Sequence, residues 1–182
     1  MNAGAVALAL SLVACPIGRT ETDSDSSDDT DTTTDELPCA PVSSPCGPST
    51  ALVTRVIDGD TVELEGGERV RYLMIDTPES TQGKLDCFGH EAAELNRSLV
   101  EGEVVDLEYD AECMDIYGRL LAYVRTEEGE INRALVRRGY ACVYHIPPNG
   151  DDRVAEFRSL EYEAQTLGAG LWGACSIPTC VH

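Results

Sequence analysis

The 182-residue chain lacks the excess of positive charge that usually marks a nucleic-acid-binding domain. Its 13 Lys and Arg stand against 33 Asp and Glu, a formal net charge of -20 at pH 7. That balance excludes tight sequestration of a polyanion and leaves only weak, salt-sensitive binding of one. No Cys-x-x-Cys pair occurs, and His90, His145 and His182 are the only histidines, which excludes the common zinc sites. His90 and His145 also lack partners at a spacing that serves nucleophilic catalysis. No Gly-rich phosphate loop is present, which argues against nucleoside triphosphate chemistry. The apolar run 3–14 is too short to cross a bilayer as a helix.

That run has the length of a signal-peptide core. Leu12-Val13-Ala14-Cys15 resembles a bacterial lipobox, which implies a signal peptide over 1–14, cleavage before Cys15 and diacylation of Cys15. The pattern's early Lys or Arg is missing, which leaves an upstream start or an inefficient signal. The competing reading is a plain secreted signal with an incidental cysteine. Residues 15–49 form the expected tether. Between 19 and 37 eight acids accompany Arg19, about -7 of the -20, so about -13 remains elsewhere. This Ser, Thr and Asp run cannot bury enough apolar surface to offset its chain entropy, so disorder is expected. An extracytoplasmic location follows, membrane-anchored in the periplasm or on the cell surface, or else secreted.

Eight cysteines also point to an oxidising compartment. Apart from Cys15 there are seven, an odd number that leaves one unpaired or bonded between chains. Cys39 and Cys46 lie among prolines and could close a local loop.

From residue 50 the pattern is that of strands. Residues 51–57, 61–65 and 68–75 are joined by Asp58-Gly59-Asp60 and Gly66-Gly67, a meander with tight hairpins. A helix is expected over 88–100, strands over 103–109 and 119–126, and a short helix over 131–138 closed by Gly139. Residues 140–144 read as extended. A longer helix over 151–167 buries Val154, Phe157, Leu160, Ala164 and Leu167, and Leu171 and Trp172 fold back as an apolar latch. Five strands with an inserted helix suggest an α+β, OB-type barrel.

Three segments carry the candidate chemistry: Ile57-Asp58-Gly59-Asp60-Thr61, Arg71 through Asp76-Thr77-Pro78-Glu79, and Asp115-Ile116-Tyr117-Gly118-Arg119. Together they offer carboxylates for a hard cation, arginines for a phosphate and a spare carboxylate to activate water. Asp58-Gly59-Asp60 alone is an ordinary turn. Arg71 shares strand parity with Leu73 and Ile75, so a charge sits on an apolar face and needs an anionic partner, unless that face is solvent. Asp76 has the opposite parity. Their convergence requires a bend or bulge at the strand end.

These segments, with Gly89-His90-Glu91-Ala92 and 134–141, resemble the staphylococcal nuclease family in order from about residue 50 to 172. The resemblance implies a five-stranded OB-fold barrel with about three packed helices over 50–174, followed by a Cys-containing tail over 175–182. It implies a Ca2+-dependent nuclease acting on DNA and RNA, single strands favoured, as a monomer, leaving 3′-phosphate ends. It implies Asp60, Asp76 and the Thr77 carbonyl as metal ligands with Asp58 behind them. It further implies Glu79 as general base and Arg71 and Arg119 as phosphate clamps. Tyr117 and Tyr144 are candidates for contacting the nucleotide, or else half-buried barrel tyrosines. Ile116 and Cys142 stand where the family carries nucleotide-pocket residues, which bears on affinity rather than reaction type. In the family fold Cys87 and Cys113 flank the cleft, implying a Cys87–Cys113 bond and leaving Cys142, Cys175 and Cys180 to share one. A non-catalytic OB-fold binding module at the cell surface is the alternative reading.

Overall fold

Short turns set the order of the strands. The computed structural model describes residues 44–81, 83 and 85–179; the signal peptide, Cys15, the acidic segment, Cys39 and Cys180 lie outside them. β1 (Thr50–Val56), β2 (Thr61–Leu64) and β3 (Arg69–Tyr72) form the expected meander, with Val56 opposite Val62 and Val62 opposite Val70. After β4 (Ile75–Asp76) comes α1 (Gly89–Val100). β5 (Val104–Met114) and β6 (Leu120–Thr126) follow, then β7 (Gly129–Glu130) and α2 (Ile131–Arg137). β8 (Cys142–Val143), α3 (Val154–Leu167) and the single turn α4 (Leu171–Ala174) complete the chain.

The sheet runs β3-β2-β1-β5-β6-β7, and β3 also pairs in parallel with β6, which closes a five-stranded barrel. The α+β OB-type fold is therefore observed. β-branched residues at alternate positions, among them Val53, Val62, Val70, Val105 and Val124, fill the interior with Leu64 and Tyr72. Phe157 and Leu160 of α3 and Leu135 of α2 belong to the same core.

Several boundaries differ from expectation. The third strand does not run through to residue 75: β3 ends at Tyr72, and Met74 adopts a left-handed φ of 68° before β4 pairs with β8. A buried methionine in that conformation costs about 1–2 kcal/mol. Main-chain bonds hold it there, from Leu73 N–H to the Ala122 carbonyl and from Tyr144 N–H to the Met74 carbonyl. β5 extends five residues further than expected and loses register with β6 between Tyr109 and Met114, so an irregular segment bulges there. Helix α3 starts at Val154 because 151–153 form a turn. Its buried stripe ends at Ala164; Leu167 is exposed, and the latch residue Leu171 is fully buried in a small cluster with Cys142 and Cys175.

The disulfides also differ. Cys87 bonds Cys175 and Cys113 bonds Cys46, so neither the Cys87–Cys113 pairing nor a Cys39–Cys46 loop forms. The β5 irregularity turns Cys113 towards residues 46–48, where Tyr109 hydroxyl donates to the Pro48 carbonyl, while α4 brings Cys175 to the start of α1. The bonded residues are 67 and 88 positions apart. In the chain-entropy model, loops of that length stabilise by about 4 kcal/mol each. Cys142 is likewise disulfide-bonded.

Candidate active site

The turn Asp58-Gly59-Asp60 sits at the β1–β2 corner and is cross-bonded on all sides. Asp60 N–H donates to Asp58 Oδ1 at 3.1 Å, Tyr72 N–H donates to the Asp60 carbonyl at 2.9 Å, and the hydroxyl of Thr61 donates to Asp60 Oδ1. Gly59 is required by a close approach: a Cβ there would lie 2.6 Å from Thr77 Oγ1. Thr77 in turn donates its N–H and hydroxyl to Asp60 Oδ2 at 2.8 and 3.0 Å. The second carboxylate loop is thus stacked directly on the first.

Arg71 joins them. Its guanidinium lies 3.1 Å from Asp60 Oδ2 and 2.7 Å from Asp76 Oδ1 and donates to the carbonyls of Tyr72 and Ile75. The turn at Leu73-Met74 is the bend that strand parity demands. It rotates Asp76 to the side of Arg71, and the anionic partner expected for that arginine is present twice over. Asp58, Asp60, Asp76, Thr77, Glu79, Arg71 and Arg119 line one small polar pocket of about 50 Å³. Burial pushes the Asp58 carboxyl up to about 7, and the Asp60 charge adds to the shift.

Arg119 reaches the pocket from the β5–β6 hairpin. It donates Nε to Asp115 Oδ2 at 2.7 Å, while its own N–H and that of Tyr117 donate to Asp115 Oδ1. Burial raises the Asp115 carboxyl, but these hydrogen bonds and the arginine charge outweigh it and hold the group below its ordinary value. Asp115 thereby acts as the holder of Arg119, a role the sequence reading missed. The signal was present: an aspartate opening a tight turn commonly bonds the N–H two residues on.

Arg71 and Arg119 also line a larger cleft of about 410 Å³. Its floor includes Leu73, Met74 and Leu121, and its wall Met114, Ile116, Tyr117, Tyr144 and Ile146. Tyr117 and Tyr144 therefore share one cleft, and Tyr117 is not a half-buried barrel residue but exposed, with the Arg119 guanidinium 5.5 Å from its ring centre. Ile116 lies on the cleft wall; Cys142 does not, being buried with Leu171 and Cys175.

Two buried asparagines were also missed. Asn96 of α1 accepts from the Tyr72 hydroxyl at 3.0 Å and donates to the Asp58 carbonyl at 3.1 Å. Asn132 of α2 donates to the Leu73 carbonyl at 2.9 Å and accepts from Val124 N–H. They tie the helices to the two loops flanking Arg71. Each is a polar residue beside an apolar helical stripe, and that misfit was the available signal.

Among the described residues no three His, Cys, Asp or Glu side chains gather closely enough to hold a metal ion by themselves. The donor set of two carboxylates and the Thr77 carbonyl is nevertheless all oxygen, as a hard cation requires. The polar pocket holds four carboxylates against two arginines, and Arg119 is already matched by Asp115. That excess of negative charge fits a cation.

The chain is also similar to proteins already known. Residues 69–174 match the family profile described as staphylococcal nuclease homologue. The thermonuclease of Staphylococcus intermedius is 36% identical over 126 residues, covering 66% of this chain and 74% of that protein. Endonuclease YncB of Bacillus subtilis is 34% identical over 124 residues, covering 65% of this chain and 59% of its own length. The prophage-derived endonuclease YokF of the same organism is 32% identical over 124 residues, 65% of this chain and 42% of its own. The chain spans about half the length of these two Bacillus relatives. The profile begins at Arg69, so Asp58 and Asp60 join the site on geometry rather than on that match.

Proposed function

The chain belongs to the staphylococcal nuclease homologue family, and from that premise and the pocket just described we propose that it is a Ca2+-dependent nuclease hydrolysing phosphodiester bonds of DNA and RNA. The observation that carries this reading is the meeting of Asp60, Asp76, Glu79, Arg71 and Arg119 around one polar pocket that opens into an apolar, aromatic-lined cleft. Phosphodiester hydrolysis needs charge stabilisation at the phosphate and a positioned water. Asp60, Asp76 and the Thr77 carbonyl would hold Ca2+, with Asp58 behind them. The bound ion would supply charge neutralisation for the phosphate. With the two carboxylates so engaged, Arg71 would be released as their counter-ion, and its fork, with that of Arg119, would grip phosphate oxygens. Glu79, exposed at the pocket mouth, takes the proton from the attacking water. Tyr117 and Tyr144 receive the sugar or base in the cleft, which favours single strands whose bases are free to stack. Water adds to phosphorus as the P–O5′ bond breaks, so one product carries a 3′-phosphate and the other a 5′-hydroxyl that takes its proton from solvent.

We place the enzyme as a monomer outside the cytoplasm, anchored through lipidated Cys15 and carried on the acidic tether, or else secreted. The disulfides of the folded domain support an oxidising compartment.

The test is cleavage of single-stranded DNA and of RNA by the oxidised protein, with Ca2+ and with a calcium chelator, followed by analysis of product ends. Calcium-dependent cleavage leaving 3′-phosphates is expected. A folded protein that cleaves neither polymer with any divalent ion would sink the reading in favour of a binding module. Fatty-acid labelling of wild type and Cys15→Ser in a bacterial host tests the anchor separately.

A further inference from the structure

The backbone of the candidate base is held from both sides by Asp86. Asp86 N–H donates to the Glu79 carbonyl at 2.9 Å, and Glu79 N–H donates to Asp86 Oδ2 at 3.3 Å. Gly89, the first residue of α1, lies flush against the same carbonyl, and a Cβ there would collide with Glu79 O. Between Asp86 and Gly89 stands Cys87, bonded to Cys175. The far end of that bridge is firmly seated. Leu171 N–H donates to the Gly139 carbonyl at 2.8 Å, and the Leu171 side chain is buried beside Cys175.

We propose that the Cys87–Cys175 bridge is a positioning element for Glu79, acting through Asp86 and Gly89, so that full turnover requires the oxidised protein. The proposal rests on the nuclease reading for the role of Glu79. The second bridge supplies an internal comparison. Cys46–Cys113 closes a loop of similar length, but it attaches beside Glu112 and Met114, which line the larger cleft, and Glu79 is not among that cleft's lining residues. Two bridges with similar effects on the unfolded chain therefore touch different parts of the reaction. Loss of Cys87–Cys175 loosens the contacts of Asp86 and Gly89 with the Glu79 backbone while leaving Arg71 and Arg119 in place. Phe88, packed 4.9 Å from the ring centre of Tyr140, keeps α1 docked. Displacing a catalytic group by about an ångström costs up to about 100-fold in rate without weakening substrate binding.

The experiment compares the oxidised wild type with Cys87→Ser/Cys175→Ser, Cys46→Ser/Cys113→Ser, Asp86→Ala and Asp86→Asn. Cleavage of single-stranded DNA with Ca2+ is measured well below each variant's Tm, and amide hydrogen exchange is followed at Asp86. For Cys87→Ser/Cys175→Ser and for Asp86→Ala, kcat falls about 10- to 100-fold with KM changed less than about twofold. Asp86→Asn stays near wild type, because its amide oxygen still accepts from Glu79 N–H. Cys46→Ser/Cys113→Ser raises KM more than it lowers kcat. Protection of the Asp86 amide drops in the first double variant and holds in the second.

Equal kcat losses in both double variants, or Asp86 protection that survives loss of Cys87–Cys175, overturn the inference. If that double variant does not fold, the contrast between Asp86→Ala and Asp86→Asn decides. A wild type that cleaves nothing overturns the nuclease reading alone, since the exchange measurement still shows whether the bridge orders the Glu79 loop.

Discussion

At the polar end of the cleft Asp60 is 5% exposed, and the Arg71 side chain is 13% exposed between two carboxylates. At the other end Ile116 is 91% exposed and Tyr117 is 79% exposed. The first region is stacked loop on loop, and each polar group there answers another. The second is a hairpin tip whose side chains line the cleft wall while staying largely exposed to solvent. A buried charge network tolerates little substitution, because removing one member strands the others without water. An exposed apolar wall tolerates many, because each side chain contributes only its own contact. On the proposed reading, the polar end carries the reaction and the wall sets affinity and preference.

The sharpest break of that contrast is Glu79→Gln. It keeps the main-chain contacts of the loop and removes the candidate base, so kcat should drop by about 10²- to 10⁴-fold with Tm unchanged. Equal activity in a steady-state assay would remove Glu79 from the chemistry. Arg71→Ala should cut turnover about 10²- to 10³-fold and, unlike Glu79→Gln, also destabilise the fold. Leaving Asp60 and Asp76 without their counter-ion costs on the order of 3 kcal/mol, read from urea unfolding in chelator. Asn132→Ala tests the supporting layer. It leaves the Leu73 carbonyl and Val124 N–H unanswered and should cost about 1–3 kcal/mol, with a smaller loss of activity than either site variant.

On the wall, Ile116→Lys should lower KM a few-fold at low salt and leave kcat alone. It should also steepen the dependence of log KM on log salt by about one phosphate contact. A change in kcat instead would blur the division between the two ends. The last effect is one of pH. The Asp58 carboxyl is raised in the folded protein to about 7, first by burial and then by Asp60. A raised acid favours the folded state fully below its unfolded value near 4, and that contribution is lost as pH climbs through about 7. In chelator, the urea midpoint should therefore decline between about pH 4 and pH 7 more in wild type than in Asp58→Asn. Parallel curves would remove Asp58 as the cause.

Much of this architecture was legible in the chain. Alternation and turn residues mark the first two strands and their hairpins to within a residue or two. The Asp58, Asp60, Arg71, Asp76, Glu79 and Arg119 set was legible as three segments, because each lies at a strand end or turn with its own local signal. Parity made a bend or bulge the condition for Arg71 and Asp76 to converge, and the structure supplies it at Met74. What was not legible depends on contacts distant in sequence. Asn96 and Asn132 look like misplaced polar residues until the carbonyls of Asp58 and Leu73 arrive against them. Leu167 fits the α3 stripe by period, yet the partner face has ended before that turn.

The cysteines show the limit most clearly. Composition alone pointed to disulfides, because thiols at that density are commonly kept for pairing, and the folded domain contains them. Which thiols pair is a question of which Cα atoms come within reach, and that is settled by the β5 irregularity and by α4. The sequence by itself determined the barrel's strands, the residue types of the site and the acidic, cysteine-rich character of the chain, since these follow from local spacing and side-chain chemistry. Only the tertiary structure decided that Arg71 answers two carboxylates, that Asp115 holds Arg119, and that Cys87 and Cys113 belong to different bridges, since each depends on groups that meet only when distant segments pack.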